Sequence, residues 1–458
     1  MENDFVLHSR PAGKPNIVAI ARHIHKNHRL LFLANIKRWL VYDAPQWKPV
    51  LKPTILKVIA SELQCLAEEN GNETLASLPV RALTEILARI ALEVTVERLP
   101  DMPADLIPCA NDMLLWDNAS NTFQLVQPAP EFYVTNTLTV DYTPEAQYPK
   151  FLEVIERIVP DADDRRIIQM YFGAALFPQN FTRKILVLIG EGSSGKSLLV
   201  LLLSKMLGRN RVFDLKLEQL SEKFALSSLT RDTSLLSGTE AAARTLCGKG
   251  GEWAKRLVGG DEFATSLKFR NEVETYAGRY SVIIVSNNHL RFEFETKGQE
   301  WRDRILPIFF RKSIPEAEQD RDLLTKLYAE EGSGILNWML EGARMVRQAN
   351  WQIELTDAQK MERDSLIAFS GPVKAFVAEF VKEEQGDFFL SEDAYESYNR
   401  LVRTRHLPFQ SEQKFFRDLS KEMSEQYGAT VTQNLRGSGG KTARGYRGFS
   451  LKPLDANE

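Results

Sequence analysis

The sequence predicts an α/β protein built around a parallel β-sheet. Three apolar runs, at residues 185–189, 281–285 and 305–310, have the length and composition of strands buried on both faces. The third run contains Pro307, which cannot donate a ladder hydrogen bond, so we expect it at a sheet edge. A glycine-rich segment separates the first run from an apolar helix predicted at 198–207. Strand, loop and helix in this order are typical of nucleotide-binding α/β folds.

The composition is that of a soluble globular protein. The chain has 458 residues, which predicts two to four domains, and 43% apolar with 26% charged residues excludes a mostly disordered chain. It has no run of 18 apolar residues and no secretory signal at its start, so we expect neither a membrane span nor export. Its three cysteines are far apart, which excludes a disulfide framework or a zinc motif and predicts a reducing, cytoplasmic location.

Residues 190–197 match the phosphate-binding pattern G-x-x-x-x-G-K-[ST]. Glycines let main-chain N–H groups surround phosphates, and the following helix directs its positive end toward them. We expect Lys196 to reach the β- and γ-phosphates of ATP and Ser197 to bind Mg²⁺. The residues predicted to bind the nucleotide are Gly190, Glu191, Gly192, Ser193, Ser194, Gly195, Lys196 and Ser197.

Two later features are candidates for the hydrolytic chemistry. Glu240 ends a short apolar stretch and is a candidate to bind Mg²⁺ and polarise the attacking water; the alternative is a surface glutamate at a helix start. Asn287 and Asn288 follow the second predicted strand, where an amide can contact the γ-phosphate. An asparagine at that place can also simply begin a turn.

Arg302 and Arg304 precede the third predicted strand. An arginine that neutralises charge on a neighbouring subunit's γ-phosphate is an arginine finger, and either residue is a candidate. The alternative is an ordinary surface pair with Asp303.

The net charge of −3 hides an uneven distribution of basic residues. Residues 1–60 contain ten Lys and Arg against three Asp and Glu, and residues 428–452 contain five against none. In the latter region, helices are followed by a glycine-rich hairpin pattern, which predicts a winged helix-turn-helix over 370–458. The candidate DNA-phosphate contacts of this tail are Arg436, Lys441, Arg444 and Arg447.

The order of these motifs resembles superfamily 3 helicases, most of all the phage, plasmid and poxvirus-type primase-helicases. The residues that carry the resemblance are 190–197, Glu240, Gly259-Gly260-Asp261, 286–288 and Arg302/Arg304. The resemblance extends to the "W-x-x-Y-D … W" pattern at 39–47 and to the signature at 322–338, and it covers about residues 20–450.

The resemblance implies an AAA+-like ATPase that forms a homo-hexameric ring, binds ATP between subunits and moves 3′ to 5′ along one DNA strand. It also implies a channel-lining hairpin near residues 259–261, where Lys268, Phe269 and Arg270 would contact DNA. A cation beside an aromatic ring suits a sequence-independent grip on phosphate and base. The implied partners are single-stranded and forked DNA, and a separately encoded primase or other replication proteins.

The sequence departs from the family pattern at the second motif and at the sensor. Glu240 is followed by three alanines instead of a second acid, which leaves Asp232 as a reserve candidate. No proline follows the amides, so either Asn287 or Asn288 is the sensor, and Arg304 is favoured over Arg302 as the finger. No polymerase-type carboxylate pair is evident before residue 150, so a primase module is not predicted.

The predicted organisation has three parts. Residues 1–150 form an α+β accessory module, 151–350 a helical collar with the P-loop ATPase, and 370–458 the winged-helix tail. The predicted function is ATP-dependent DNA unwinding in the replication of a phage, plasmid or mobile element. The alternatives are a nucleotide-switched DNA-binding initiator or regulator without processive unwinding, and a P-loop phosphotransferase acting on a small substrate.

Overall fold

The structure is a computed structural model. It describes residues 15–216, 219, 225–238, 241, 246–266, 273–287, 290, 299–368, 372–404, 411–436 and 442–452. Within these ranges, no helix is long and apolar enough to cross a membrane.

Residues 15–96 form a module in which helices pack on one small sheet. Its elements are α1 (Ile17–His28), β1 (Leu30–Leu33), β2 (Arg38–Asp43), β3 (Gln46–Val50), α2 (Lys52–Asn70), α3 (Glu73–Ala76), α4 (Val80–Val94) and β4 (Thr95–Val96). The strand order is β3-β2-β1-β4, antiparallel except for the β1–β4 pair. Apolar residues at helical spacing in α2, such as Ile55, Ile59 and Leu63, are buried against α1 and α4.

A three-stranded antiparallel sheet follows, made of β5 (Leu106–Pro108), β6 (Met113–Asp117) and β7 (Thr122–Val126). Its buried side chains Ile107, Leu114 and Trp116 belong to the large apolar core of the region that follows in the chain. This small sheet is therefore packed against the central part of the molecule and not against the first module alone.

The central region, from 149 to 368, contains the parallel sheet. Its elements are α5 (Pro149–Ile158), α6 (Ala162–Leu176), β8 (Ile185–Gly190), α7 (Lys196–Leu207), β9 (Val212–Asp214), β10 (Leu235–Gly238), α8 (Gly248–Gly259), β11 (Glu262–Ser266), β12 (Val273–Ala277), β13 (Ser281–Ser286), α9 (Gln299–Arg302), β14 (Ile305–Phe310), α10 (Leu323–Gln348) and α11 (Asp357–Ala368).

The five-stranded sheet has the order β14-β8-β13-β10-β9, and all its strands are parallel. Alternate residues of β8 enter opposite cores: Leu186 and Leu188 face α6, α7 and α10, whereas Val187 faces α8. The prediction of a parallel sheet with strands buried on both faces is therefore confirmed. The strand containing Pro307 lies at the sheet edge, also as predicted.

Helices α6 and α10 approach each other unusually closely. A Cβ atom built on Gly342 would lie 1.9 Å from the main-chain oxygen of Gln169, and one built on Gly173 would lie 2.0 Å from the nitrogen of Ala343. Only hydrogen fits at these two positions, so the two glycines set the distance between the helices.

Helix α10 does not include the residues directly before Leu323. Residues Glu316–Glu318 form a 3₁₀ turn, and α10 starts at Leu323. The carboxylate of Asp320 accepts a hydrogen bond from the Asp322 nitrogen (2.9 Å), a local turn that competes with helix formation.

The tail comprises α12 (Pro372–Phe380), β15 (Val381–Leu390), α13 (Ser391–Thr404), α14 (Glu412–Tyr427), β16 (Thr432–Arg436) and β17 (Thr442–Leu451). Its antiparallel sheet has the order β15-β17-β16. The tail has helices followed by a paired β16 and β17, as predicted, but strand β15 between α12 and α13 was not predicted. The acidic middle of β15 hides any strand pattern, and the strand forms through pairing with the distant β17 at both ends, on either side of an irregularity between Glu383 and Phe388.

Helix α11 is attached to the start of α6 through a carboxylate with a raised pKa. Burial raises the pKa of Asp164 from 3.8 to about 6, although the Gln359 amide of α11 donates to this carboxylate at 2.8 Å and opposes the shift. Between pH 3.8 and about 6, the folded protein therefore binds this proton more tightly than the unfolded chain does. Stability is expected to fall as pH rises through that window.

Replacing Asp164 with asparagine should remove this loss. We expect the variant to be more stable than the wild type at pH 7.5 by on the order of 1 kcal/mol, allowing for partial solvent exposure, and equally stable at pH 3.5. Thermal unfolding at the two pH values measures the difference. Asp163→Asn, at the exposed neighbouring carboxylate, is the matched control. An equal effect of Asp164→Asn at both pH values would contradict the prediction.

Candidate nucleotide-binding site

The carboxyl ends of the parallel strands β8, β13 and β14 lie together at one edge of the sheet. Strand β8 leads into the 190–196 loop, and its neighbours β13 and β14 end at the same level, because Ile189 pairs with Ser286 and Gly190 with Phe310. This edge is where ligands bind in open α/β sheets.

The loop after β8 is held in a tight curve by close main-chain contacts. A Cβ atom on Gly190 would lie 2.2 Å from the main-chain oxygen of Phe310. Gly195 has φ +93°, and a Cβ there would lie 2.9 Å from Ile158 Cγ2. Glycine is therefore required at both ends of the loop for reasons of space and backbone conformation. Helix α7 begins immediately after the loop, at Lys196.

The side chain of Lys196 points back into its own loop. Its Nζ donates to the main-chain oxygens of Gly190 (2.7 Å) and Glu191 (2.6 Å) and lies 3.0 Å from Ser194 Oγ. The residue is only 3% exposed, and burial lowers its pKa, while the Glu191 carboxylate opposes that shift. An ammonium group held by uncharged oxygens is well placed to exchange them for phosphate oxygens. Ser197, the predicted Mg²⁺ ligand, is exposed at the start of α7.

The segment after β14 fastens the outside of the loop. Ser313 Oγ donates to the main-chain oxygen of Gly192 (3.0 Å), and the Ile314 nitrogen donates to that of Ser193 (2.9 Å). Sequence reasoning did not identify this contact, because no motif marks it and it depends on β14 lying beside β8.

The predicted hydrolytic residues are only partly described. Glu240 and Asn288 lie outside the described residues. Ala241, the residue after Glu240, donates its N–H to the main-chain oxygen of Val285 (2.8 Å) and accepts from Ser286 Oγ (2.9 Å), so the chain leaving β10 reaches the carboxyl end of β13. Asn287 is exposed at that same end. The structure thus brings Asn287 and the residue next to Glu240 to the edge that carries the loop.

Asp232 does not belong to this site, and the suggestion that it is a reserve catalytic acid was wrong. It precedes the amino end of β10, at the opposite edge of the sheet from Lys196. Its carboxylate accepts hydrogen bonds from Thr135 Oγ1 and from Asn136 Nδ2, at 2.5 Å for the latter. Asp232 therefore joins the segment around residues 135 and 136 to the sheet. The sequence could have indicated this, because Asp232 precedes its strand and does not follow the strand's carboxyl end.

Arg302 and Arg304 also lie at the amino edge. They precede β14, whose first residue pairs with the first residue of β8. The length of the strand, roughly 20 Å, therefore separates both arginines from the 190–196 loop of the same chain. Arg304 Nη1 donates to the main-chain oxygen of Glu300 (2.9 Å), and Arg302 Nε lies 3.3 Å from the Asp364 carboxylate. Neither arginine can reach the 190–196 loop of its own chain. Two further cations beside them, Lys184 and Arg363, belong to no motif and were not predicted.

The predicted DNA-contacting residues come from two parts of the sequence. Strands β11 and β12 pair antiparallel after α8; Lys268, Phe269 and Arg270 stand between them in sequence and lie outside the described residues. In the tail hairpin, Arg436, Arg444 and Arg447 are exposed, and Lys441 lies outside the described residues. Phe415 and Tyr446 are buried in the tail core.

The described residues contain no group of three His, Cys, Asp or Glu side chains that could hold a metal ion. His23 and His28 both contact Glu62, with nitrogen–oxygen distances of 3.7 and 2.7 Å. The histidine-rich helix α1 is therefore bonded to α2 through this carboxylate.

Comparison with known proteins adds a match over the first third of the chain. Residues 19–160 match the family described as "D5 N terminal like". No curated protein matches the chain. A structure of the NrS-1 C-terminal region in its A form is 11% identical with a TM-score of 0.49, covering 95% of this chain and 99% of that one. Another apo structure of that region is also 11% identical with a TM-score of 0.49, covering 94% and 99%.

Proposed function

We propose that this protein is an ATP-dependent DNA helicase, of the superfamily 3 type, that acts in replication of a phage, plasmid or other mobile element. The observation that carries the proposal is the division of the motif residues between the two edges of one sheet. Lys196 and Asn287 lie at the carboxyl edge, whereas Arg302 and Arg304 lie at the amino edge. A site whose arginine comes from the opposite edge is complete only when a second copy supplies it, as in a ring.

The loop residues fit a nucleotide triphosphate. Main-chain N–H groups of a glycine-rich loop and the start of α7 provide the donors that phosphates prefer, and Lys196 adds a buried positive charge. Ser197 and Glu240 would hold Mg²⁺, which supplies charge neutralisation at the phosphates when bound. The Asn287 amide, or that of Asn288, would contact the γ-phosphate. The family match of residues 19–160 supports a replication protein of the primase-helicase kind.

DNA contact would come from the 262–277 hairpin and from the tail. Lys268, Phe269 and Arg270 between β11 and β12 would grip one strand without reading its sequence. The exposed Arg436, Arg444 and Arg447 of the tail hairpin, with Lys441, would contact phosphates of single-stranded or forked DNA. A homo-hexamer, 3′-to-5′ movement and a separately encoded primase partner are further parts of the proposal.

The test is ATP hydrolysis by the purified protein with and without single-stranded DNA, followed by strand displacement on forks with a free 3′ or 5′ tail. We expect DNA to stimulate hydrolysis and the 3′-tailed fork to be unwound. A rate of ATP hydrolysis that does not change when DNA is added would favour a phosphotransferase. Binding of ATP and DNA without strand displacement would favour an initiator. Either result would overturn the helicase proposal.

A further inference from the structure

The amino edge of the central sheet carries a cluster of basic side chains. Its members are Lys184, Arg302, Arg304 and Arg363. Burial lowers the pKa of Lys184; Asp303 opposes this, and the charges of Arg363 and Arg304 lower it further. Lys184 is therefore near enough to Arg363 and Arg304 for their positive charges to repel one another, and an anion arriving from outside would relieve that repulsion.

The two candidate finger arginines differ in their surroundings. Arg304 is tied to the main chain of Glu300, and its Nε is buried without a partner among the described residues. Arg302 instead lines an open groove of about 600 Å³ beside α11. The other residues of this groove are Asp357, Lys360, Met361, Asp364 and Ser365. Arg302 thus faces a space that a neighbouring molecule can enter, whereas the described contacts of Arg304 tie its guanidinium to its own chain.

Helix α11 holds Arg302 at two points. Arg363 Nη1 donates to the main-chain oxygen of Arg302 (3.0 Å), and Asp364 lies 3.3 Å from the Arg302 guanidinium. The same carboxylate accepts from Arg363 Nε at 2.9 Å, so its charge is divided between two guanidinium groups. The Arg302 and Asp364 side chains are 30% and 44% exposed, and an ion pair at that exposure is weak and readily exchanged.

We infer that Arg302, and not Arg304, is the arginine presented to a neighbouring copy, and that Asp364 is a positioning residue that restrains its guanidinium until a phosphate replaces the carboxylate. The inference rests on the proposed function. A phosphate offers more charge and a bidentate geometry, so Arg302 exchanges one anion for another without any covalent change. Arg363 continues to hold the Arg302 main chain. Met361, 72% exposed in the same groove, is an apolar side chain that the neighbour would cover.

The first test mixes two inactive variants. Lys196→Ala cannot use its own nucleotide site but retains Arg302, whereas Arg302→Ala retains the site but cannot serve its neighbour. We expect Arg302→Ala alone to lose at least roughly 100-fold in ATP turnover, with the mixture regaining part of it. Arg302→Lys, which keeps a charge but not the bidentate geometry, should lose turnover in the same way. Arg304→Ala, the matched variant, should keep turnover within a few-fold of the wild type.

The second test releases the restraint. Asp364→Asn should raise turnover about two- to fivefold at low protein concentration, with little change at saturating concentration, since the neighbour's phosphate no longer competes with a carboxylate. Asp364→Glu, which keeps the carboxylate, should have the same turnover as the wild type. Asp357→Asn, in the same groove but paired with Lys360 at 3.1 Å, is the control that should change nothing. A purely structural role for Asp364 would instead lower the rate at every concentration.

The outcomes separate this inference from the proposed function. DNA-stimulated hydrolysis that survives in Arg302→Ala, or is lost in Arg304→Ala, would leave the helicase proposal standing and overturn the assignment of Arg302. A slower or unchanged Asp364→Asn would overturn the restraint. A wild type without ATP turnover would overturn both.

Discussion

Replacing Lys196 with alanine is expected to lower ATP turnover by roughly 100-fold or more, because one preorganised charge in a phosphate site has an effect of that size. The lysine Nζ is buried among loop oxygens, and no other described cation shares its hydrogen bonds to Gly190 and Glu191. The loss should appear in nucleotide binding as well as in turnover, since under the proposed function the charge would contact the ground-state phosphates too.

The measurement is ATP hydrolysis together with binding of a fluorescent ATP analogue. Lys205→Ala is the matched control: it removes a lysine from the same helix, where Nζ lies 4.5 Å from the Tyr328 ring, well away from the loop. The control should keep its turnover. Nucleotide binding that is equally strong in Lys196→Ala and wild type would show that the 190–197 loop is not the nucleotide site.

Replacing Gly342 with alanine is expected to destabilise the protein by about 3 kcal/mol, near the upper end for overpacked positions. The new methyl group would lie 1.9 Å from the main-chain oxygen of Gln169 and 2.5 Å from its carbonyl carbon. Main-chain atoms of α6 cannot rotate away, so the two helices must separate and lose packing in the core they share.

Urea unfolding followed by circular dichroism measures this change. The matched control is Gly332→Ala in the same helix, where the methyl group would meet only the Val140 side chain, at 3.1 Å. Helix propensity favours alanine there, so this variant should be neutral or slightly more stable. A Gly342→Ala protein as stable as its control would mean that α6 and α10 do not pack as described.

Features encoded in neighbouring residues were predictable. The apolar run of β8, the glycine loop and α7 follow one another in the chain, and their order alone predicts a strand buried in a parallel sheet with a phosphate loop at its end. Pro307 similarly predicted the edge position of β14, because a missing N–H excludes a strand from the sheet centre. The roles of the loop residues, Glu240 and the arginines stay predictions.

Features that depend on distant pairing were not predictable. Strand β15 has an exposed, acidic middle and exists because β17, some 60 residues later, supplies its partners. In the sequence, Asp232 is a candidate for a second catalytic acid. The sheet register shows that it lies at the amino ends of the strands, at the opposite edge from the 190–196 loop. Lys184 and Arg363 belong to no motif. The pairing of β8 with β14 brings Lys184 to Asp303 and Arg304, and the packing of α11 against α9 and β14 brings Arg363 to Arg302.

The sequence by itself determined three strands of the central sheet and the glycine-rich loop between β8 and α7, since these rest on local hydrophobicity and on residues close together in the chain. Only the tertiary structure decided which edge of the sheet each motif residue occupies. Strand direction and register set that placement, and they follow from which buried faces pack together across hundreds of residues. That long-range packing separates Lys196 from Arg302 within one chain, and the same separation predicts a site completed by a second copy.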